Sequence, residues 1–312
     1  MTQMPLVSPL FLEGGHFVSV LTLVNNSEAD TYADLTVRAL DGSTIATRRV
    51  RFWPHSQRRV QLGELLGRTD SAATAGSILV MQSSALAGPS IAAALSMTYS
   101  GSADPNYLDQ EISMPSFSGS QMLEGVADRS NGSPIVAISS VAESPQHINV
   151  QCIGERGVVA SNHVDLGAGE TIVSDVCSER DIHGTDFHTA LERDENASRS
   201  PIGIKLTSDA MPGSFAAFAL APHRVNGGHF FSSVLFTDPM MANSPNSVFT
   251  GIPVGPATPL PDGNYTPRIS MTNFSAAEVH AHIDFAGHLV THPSPLKLAA
   301  LQYPRVRVGN LF

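Results

Sequence analysis

The chain is 312 residues long, 42% hydrophobic and only 15% charged, with a formal net charge of −10. That length holds two or three domains with cores of their own. The composition excludes a disordered chain, and no apolar run reaches the roughly 18–20 residues of a membrane-crossing helix. Charge is spread unevenly: residues 1–100 carry seven Arg against seven acids, residues 101–200 five Arg against sixteen acids, and the remainder six basic residues against five acids. An acidic middle with near-neutral ends argues against nucleic acid as a partner, because that needs a net basic face. It leaves room for end-to-end electrostatic contacts or for cation binding.

The opening MTQMPLVSPLFLEGG has neither a basic leader nor a sustained apolar stretch, so it does not read as a signal peptide, and the expectation is a soluble chain or an exported protein given without its leader. Residues 17–24 (FVSVLTLV) alternate and are β-branched, which predicts a strand ending at Asn25-Asn26-Ser27. Residues 32–40 place Ala33, Leu35, Val37 and Ala39 on one face and Tyr32, Asp34, Thr36 and Arg38 on the other, a half-buried strand. Asp41-Gly42 then marks a hairpin, with residues 44–52 as the return strand. Pro54-His55-Ser56 turns the chain into a strand over 58–62, and strands over 76–82 and 90–98 close the unit as a hairpin. Residues 76–96 align without a gap on residues 200–220, an offset of 124, with Ile78 on Ile202 and Ser90 on Ser214. Residues 15–37 align on 263–285, at twice that spacing. Fixed spacing marks a repeat architecture, here of about two and a half copies.

The second copy reads through strands at 135–141, 148–153, 158–166, 171–176, 202–207 and 215–220, the last two turning on Pro212-Gly213. Residues 185–195 are the one clear helix candidate. The third copy follows the pattern from about 246 to 285, and from Gly287 onward the chain holds no acid. Six or seven short strands per copy predict an all-β protein of tandem immunoglobulin-like β-sandwich repeats, the third truncated. The boundaries read as 1–100 for the first sandwich, 101–112 for a linker, 113–222 for the second, 223–245 for a connecting segment and 246–312 for the partial third, strung as a short rod.

The run FLEGGHFVSVLTLVNNS, the strand ending in Asp41-Gly42, then PHSQRRVQL and GSILV resemble a group of uncharacterised bacterial exported proteins built of tandem Ig-like repeats. The likeness spans about residues 10 to 285. It implies a secreted or cell-envelope location and carries no known active site.

Four constellations bear on chemistry. Arg49, Arg51 and Arg58 flank Trp53, the only tryptophan, and could grip an acidic sugar or an acidic protein surface; the plain alternative is the wet face of a strand. His280, His282 and Asp284 in VHAHIDF have the spacing of metal ligands on a strand, with His288 and His292 nearby. Asp104, Asn106, Asp109 and Glu111 offer oxygens to Ca²⁺ at a junction, though without the twelve-residue calcium-loop spacing. His188 and Glu192 sit one turn apart in the helix candidate. Cys152 and Cys177, the only cysteines, are either a disulfide closing about 25 residues on neighbouring strands or two buried thiols.

No nucleophile elbow, phosphate loop or dinucleotide fingerprint is present in the sequence. The expected function is therefore a non-catalytic structural or adhesive module of a bacterial secreted or cell-surface protein. Its partners would be protein or surface glycan, with self-association, and it would need no cofactor beyond a candidate Ca²⁺. The alternatives are a carbohydrate-binding module using Trp53 and a metal-dependent hydrolase using His280, His282 and Asp284.

Overall fold

The computed structural model describes residues 5–15, 17–67, 73–83, 90–99, 110–114, 121–127, 134–177, 202–211, 213–225 and 228–239, and in the C-terminal part 268–281, 284–285, 290–291, 296–298 and 305–307. The protein is all-β, and every strand pairing among the described residues is antiparallel.

Two four-stranded sheets face each other in the N-terminal part. One contains β1 (Leu6–Glu13), β3 (Thr31–Ala39), β4 (Thr44–Phe52) and β6 (Thr74–Ser83), in the order β1-β6-β3-β4. The other contains β2 (Phe17–Asn25), β5 (Gln57–Gln61), β7 (Ile91–Tyr99) and β8 (Gln110–Met114), in the order β5-β2-β7-β8. A short helix, α1 (Leu62–Leu66), follows β5 and buries Leu62. The alternation read in the sequence decides which side is wet. Phe17, Leu21 and Leu23 of β2 and Ala33, Leu35 and Val37 of β3 point inward, and they pack with Phe11, Phe52, Ile78 and Leu95 into one core.

A second pair follows. One sheet holds β9 (Met122–Ala127), β11 (Gln146–Gly154), β12 (Gly157–Leu166) and β14 (Ile202–Ser208), in the order β12-β11-β14-β9. Its partner holds β10 (Ile135–Ser140), β13 (Thr171–Ser174), β15 (Phe215–Val225) and β16 (Gly228–Leu235), in the order β13-β10-β15-β16. Taken in chain sequence, β1-β6-β3-β4 corresponds to β9-β14-β11-β12, and β5-β2-β7-β8 to β13-β10-β15-β16. Ile138, Val150, Ile204, Leu206 and Phe215 belong to its separate core.

The two pairs are sealed against each other. The outward side chains Ala137, Phe218 and Leu220 of β10 and β15 are at most 3% exposed and pack with the first core, although they belong to the second pair. Val7 and Leu79 meet Ala216 and Val141 beside them. Ser139 donates a hydrogen bond to the Pro9 carbonyl at 2.8 Å, and the Thr171 amide donates to the Leu40 carbonyl at 2.8 Å. The β3–β4 hairpin tip is part of this seam. Gly42 has φ +84, and a Cβ there would come within 2.6 Å of the Ala168 carbonyl, so only glycine fits both the turn and the neighbour. The pairs therefore lie face against face.

Two local expectations change. The strands over 76–82 and 90–98 do not form a hairpin: β6 pairs with β1 and β3 in one sheet, β7 with β2 and β8 in the other, and β14 and β15 repeat that crossing. Turn residues between strands report a reversal of direction but not which sheet receives the next strand. The segment 101–112 includes the start of β8, and segment 223–245 includes β16, so each contributes an edge strand to the sheet before it. The helix candidate at 185–195 lies outside the described residues.

The C-terminal part has short pairs: β17 (Arg268–Ser270) with β22 (Arg305–Arg307), β18 (Val279–Ala281) with β21 (Leu296–Leu298), and β19 (Asp284–Phe285) with β20 (Val290–Thr291). One turn here duplicates a turn in the first pair bond for bond. Asn25 donates to the Ala29 carbonyl and accepts from the Ser27 amide and hydroxyl, at 2.8, 3.0 and 2.8 Å. Asn273 does the same with Ala277 and Ser275, at 2.7, 3.0 and 2.7 Å. The 248-residue offset thus carries hydrogen bonding as well as residue type. This turn rests on β14: Lys205 Nζ donates to the Phe274 carbonyl at 3.3 Å, and a Cβ on Gly203 would lie 2.5 Å from Thr272.

Candidate functional site

The best-defined surface constellation is the outer face of the β3–β4 hairpin. The Asp41-Gly42 turn sets the register, with a bulge between Val37 and Arg38, and that register puts Tyr32 opposite Arg51 and Asp34 opposite Arg49. These residues have the parity of the wet side, opposite the buried Ala33, Leu35 and Val37. Arg49 grips Asp34 with both ends of its guanidinium, Nε to Oδ1 at 2.7 Å and Nη2 to Oδ2 at 2.9 Å. Arg51 Nη2 donates to Asp30 Oδ2 at 2.6 Å while its guanidinium lies 4.1 Å from the centre of the Trp53 ring. Arg49 stands 5.8 Å from the Tyr32 ring, near the outer limit of a cation–π contact.

Trp53 is 51% exposed. Its backbone is fixed, because its carbonyl accepts from Asn25 Nδ2 at 2.9 Å and from Ser56 Oγ at 2.7 Å. Beside it, His55 adopts φ 49 and places Nε2 3.0 Å from Glu28 Oε1.

The electrostatics limit what this face can hold. The hydrogen bonds they donate to their carboxylate partners hold Arg49 and Arg51 more firmly protonated than usual, Asp34 acting on Arg49 and Asp30 on Arg51. Each guanidinium therefore meets an aspartate, and the ladder of Asp30, Asp34, Arg49 and Arg51 is neutral overall. A ladder already neutralised in this way offers a flat aromatic and amphipathic surface and little net pull on an anion.

Arg58 does not share this face. It lies on β5, opposite Leu23 in the facing sheet, because the chain crosses between sheets at 53–56. The expected group is thus reduced to Arg49, Arg51 and Trp53, and it gains Asp30, Asp34 and Tyr32. Asp34 was recoverable from the sequence, since the hairpin register pairs it with Arg49. Asp30 lies before the strand and carried no such signal.

The second pair has a counterpart. His147 and Asp165 are opposite each other on β11 and β12 and form an exposed pair that raises the imidazole pKa and lowers that of the carboxyl. The hydrogen bond is the largest cause in both cases. On β9, burial pushes the Glu124 carboxyl up, against the pull of Lys205 at 3.8 Å.

Cys152 and Cys177 form a disulfide with Cα atoms 5.7 Å apart. Cys152 is on β11 and Cys177 follows β13, so the bond ties the two facing sheets together.

The remaining groups fall elsewhere. Asp104, Asn106, Asp109, His188, Glu192 and His282 lie outside the described residues. Glu111 belongs to β8, His280 to β18 and Asp284 to β19. Among the described residues no cluster of three His, Cys, Asp or Glu could hold a metal ion, and no helix is long and apolar enough to cross a membrane. Compared with protein-family models, curated proteins and solved structures, the chain finds no significant match in any of the three.

Proposed function

We propose that the chain is a tandem array of Ig-like β-sandwich units, the third truncated, and that it works as a non-catalytic structural or adhesive module of a bacterial secreted or cell-surface protein. The observation that carries this reading is the junction. Two consecutive sheet pairs with one strand order meet through a buried apolar seam, with Phe218 of the second pair fully buried against the first core. Burial of that kind makes a stiff body suited to bearing or transmitting contacts. The Cys152–Cys177 disulfide supports an oxidising compartment, and with it a secreted or cell-envelope location. Partners are protein surfaces, surface glycans or further copies of the chain.

A second reading, a carbohydrate-binding module, is favoured by one observation: Trp53 is half exposed on a rigid backbone with a guanidinium stacked on its ring. Sugar rings stack on such indoles.

Biolayer interferometry of the full chain against immobilised glycans and protein surfaces, with wild type and Trp53→Ala compared, tests both. The structural reading expects binding to protein that survives Trp53→Ala. Glycan binding lost in Trp53→Ala at an unchanged melting temperature would select the carbohydrate reading, and no binding by wild type would overturn both.

A further inference from the structure

The outer face of the first β5-β2-β7-β8 sheet has a covered twin within the same chain. Register makes the match position by position. Thr22 lies opposite Ala94 as Ala137 lies opposite Phe218, and Val20 opposite Ser96 as Ile135 opposite Leu220. In the second pair this face is sealed against the first, with Ala137, Phe218 and Leu220 at most 3% exposed. In the first pair the equivalent side chains are half-buried or exposed; Val18 is 43% exposed and Ala92 is exposed.

Between β2 and β7 the face carries Val18, Val20, Thr22, Ala92, Ala94 and Ser96, without a charge. Its two flanks are opposite in sign by register. Arg59 on β5 stands opposite Thr22, and Glu111 on β8 takes the position opposite Ser96.

We propose that this face docks on the same face of a second copy of the chain. The proposal rests on the tandem-sandwich reading above and names the contact surface. Among the described residues, two sheet surfaces of the kind that receive such a face are already taken: Val7 and Leu79 by Val141 and Ala216, and Gly203 and Lys205 by Thr272 and Phe274. An uncharged face meets its own copy without repulsion, which is the requirement of an isologous contact. A two-fold axis parallel to the strands lays β5 of one copy over β8 of the other, so the rim that carries Arg59 meets the partner rim that carries Glu111, their register positions two residues apart along the strands. Ala94 and Ser96 stand where the sealed face has Phe218 and Leu220, so the dimer buries less apolar surface than the internal seam. It falls in the weak, reversible class, below about 1,200 Å².

Sedimentation velocity of the full chain over a concentration series tests this. Wild type is expected to pass from monomer to dimer. Ala94→Arg, and independently Ala92→Glu at a position already exposed, are expected to weaken dimerisation by about tenfold or more. Thr47→Arg, on the opposite sheet, should dimerise like wild type. Arg59→Glu should weaken dimerisation, and adding Glu111→Arg should restore it. Circular dichroism melts verify that each variant is folded. A wild type that stays monomeric at every concentration, an Ala94→Arg that dimerises normally, or a charge swap that fails to restore would overturn the proposal. A monomer that still binds a protein surface would leave the structural reading standing.

Discussion

The two sheet pairs share a strand order but not the means of holding it. In the first, β1 is buried on both sides, with Leu10, Phe11 and Leu12 at most 2% exposed, and Asn25 ties its own turn to the Trp53 carbonyl across 28 residues. In the second, the equivalent turn depends on Gln146. Its amide donates to Ser140 Oγ and the Ser214 carbonyl, and its oxygen accepts from the Ser208 and Ser214 hydroxyls. A disulfide then joins the facing sheets, which the first pair lacks. Topology is thus set by the two-faced strands, while the staples are interchangeable local solutions.

That contrast can be broken at several points. The largest effect is expected at the shared seam, where Phe218→Ala should cost about 3–5 kcal/mol because the cavity opens beside both cores. Chemical denaturation measures it. Replacing Cys152 and Cys177 by Ala together should cost about 3 kcal/mol, for a bond that closes 25 residues. If the staples act locally, the loss should leave the first pair's hydrogen exchange unchanged. Gln146→Leu should cost about 2–3 kcal/mol and Asn25→Ala about 1–3, since each strands buried polar groups in its own pair alone.

The smallest effect concerns the exposed His147–Asp165 pair. The imidazole pKa is raised, so its contribution is complete below the ordinary histidine value near 6.5 and is lost as pH rises through the raised one. The carboxyl pKa is lowered, so its contribution holds above the ordinary aspartate value near 3.9 and is lost as pH falls through the lowered one. Melting temperatures of wild type and His147→Ala should therefore differ most between about pH 4 and 6.5, and converge above.

What the sequence made legible follows the same physics. Strands with one wet face, such as β2 and β3, announce themselves by alternation, and the Asp41-Gly42 hairpin lies where its residues predict. β1 did not, because LVSPLFLE is buried on both faces, holds a proline at its register shift and so shows no period of two. Arg58 read as a neighbour of Trp53 because it is close in sequence, yet the crossing at 53–56 sends it to the other sheet. The partners that neutralise Arg49 and Arg51 decide what that surface can bind. Only Asp34 could be found from spacing, since Asp30 is brought in by the turn.

The central claim is that the second pair's outer face completes the packing of the first. Hydrogen exchange of Phe218→Ala, read peptide by peptide, tests it most directly. Exchange should accelerate in β1 and β6 together with β10 and β15, across the seam formed by Val7, Leu79, Val141 and Ala216. Acceleration confined to β10 and β15, with β1 and β6 protected as in wild type, would contradict the account.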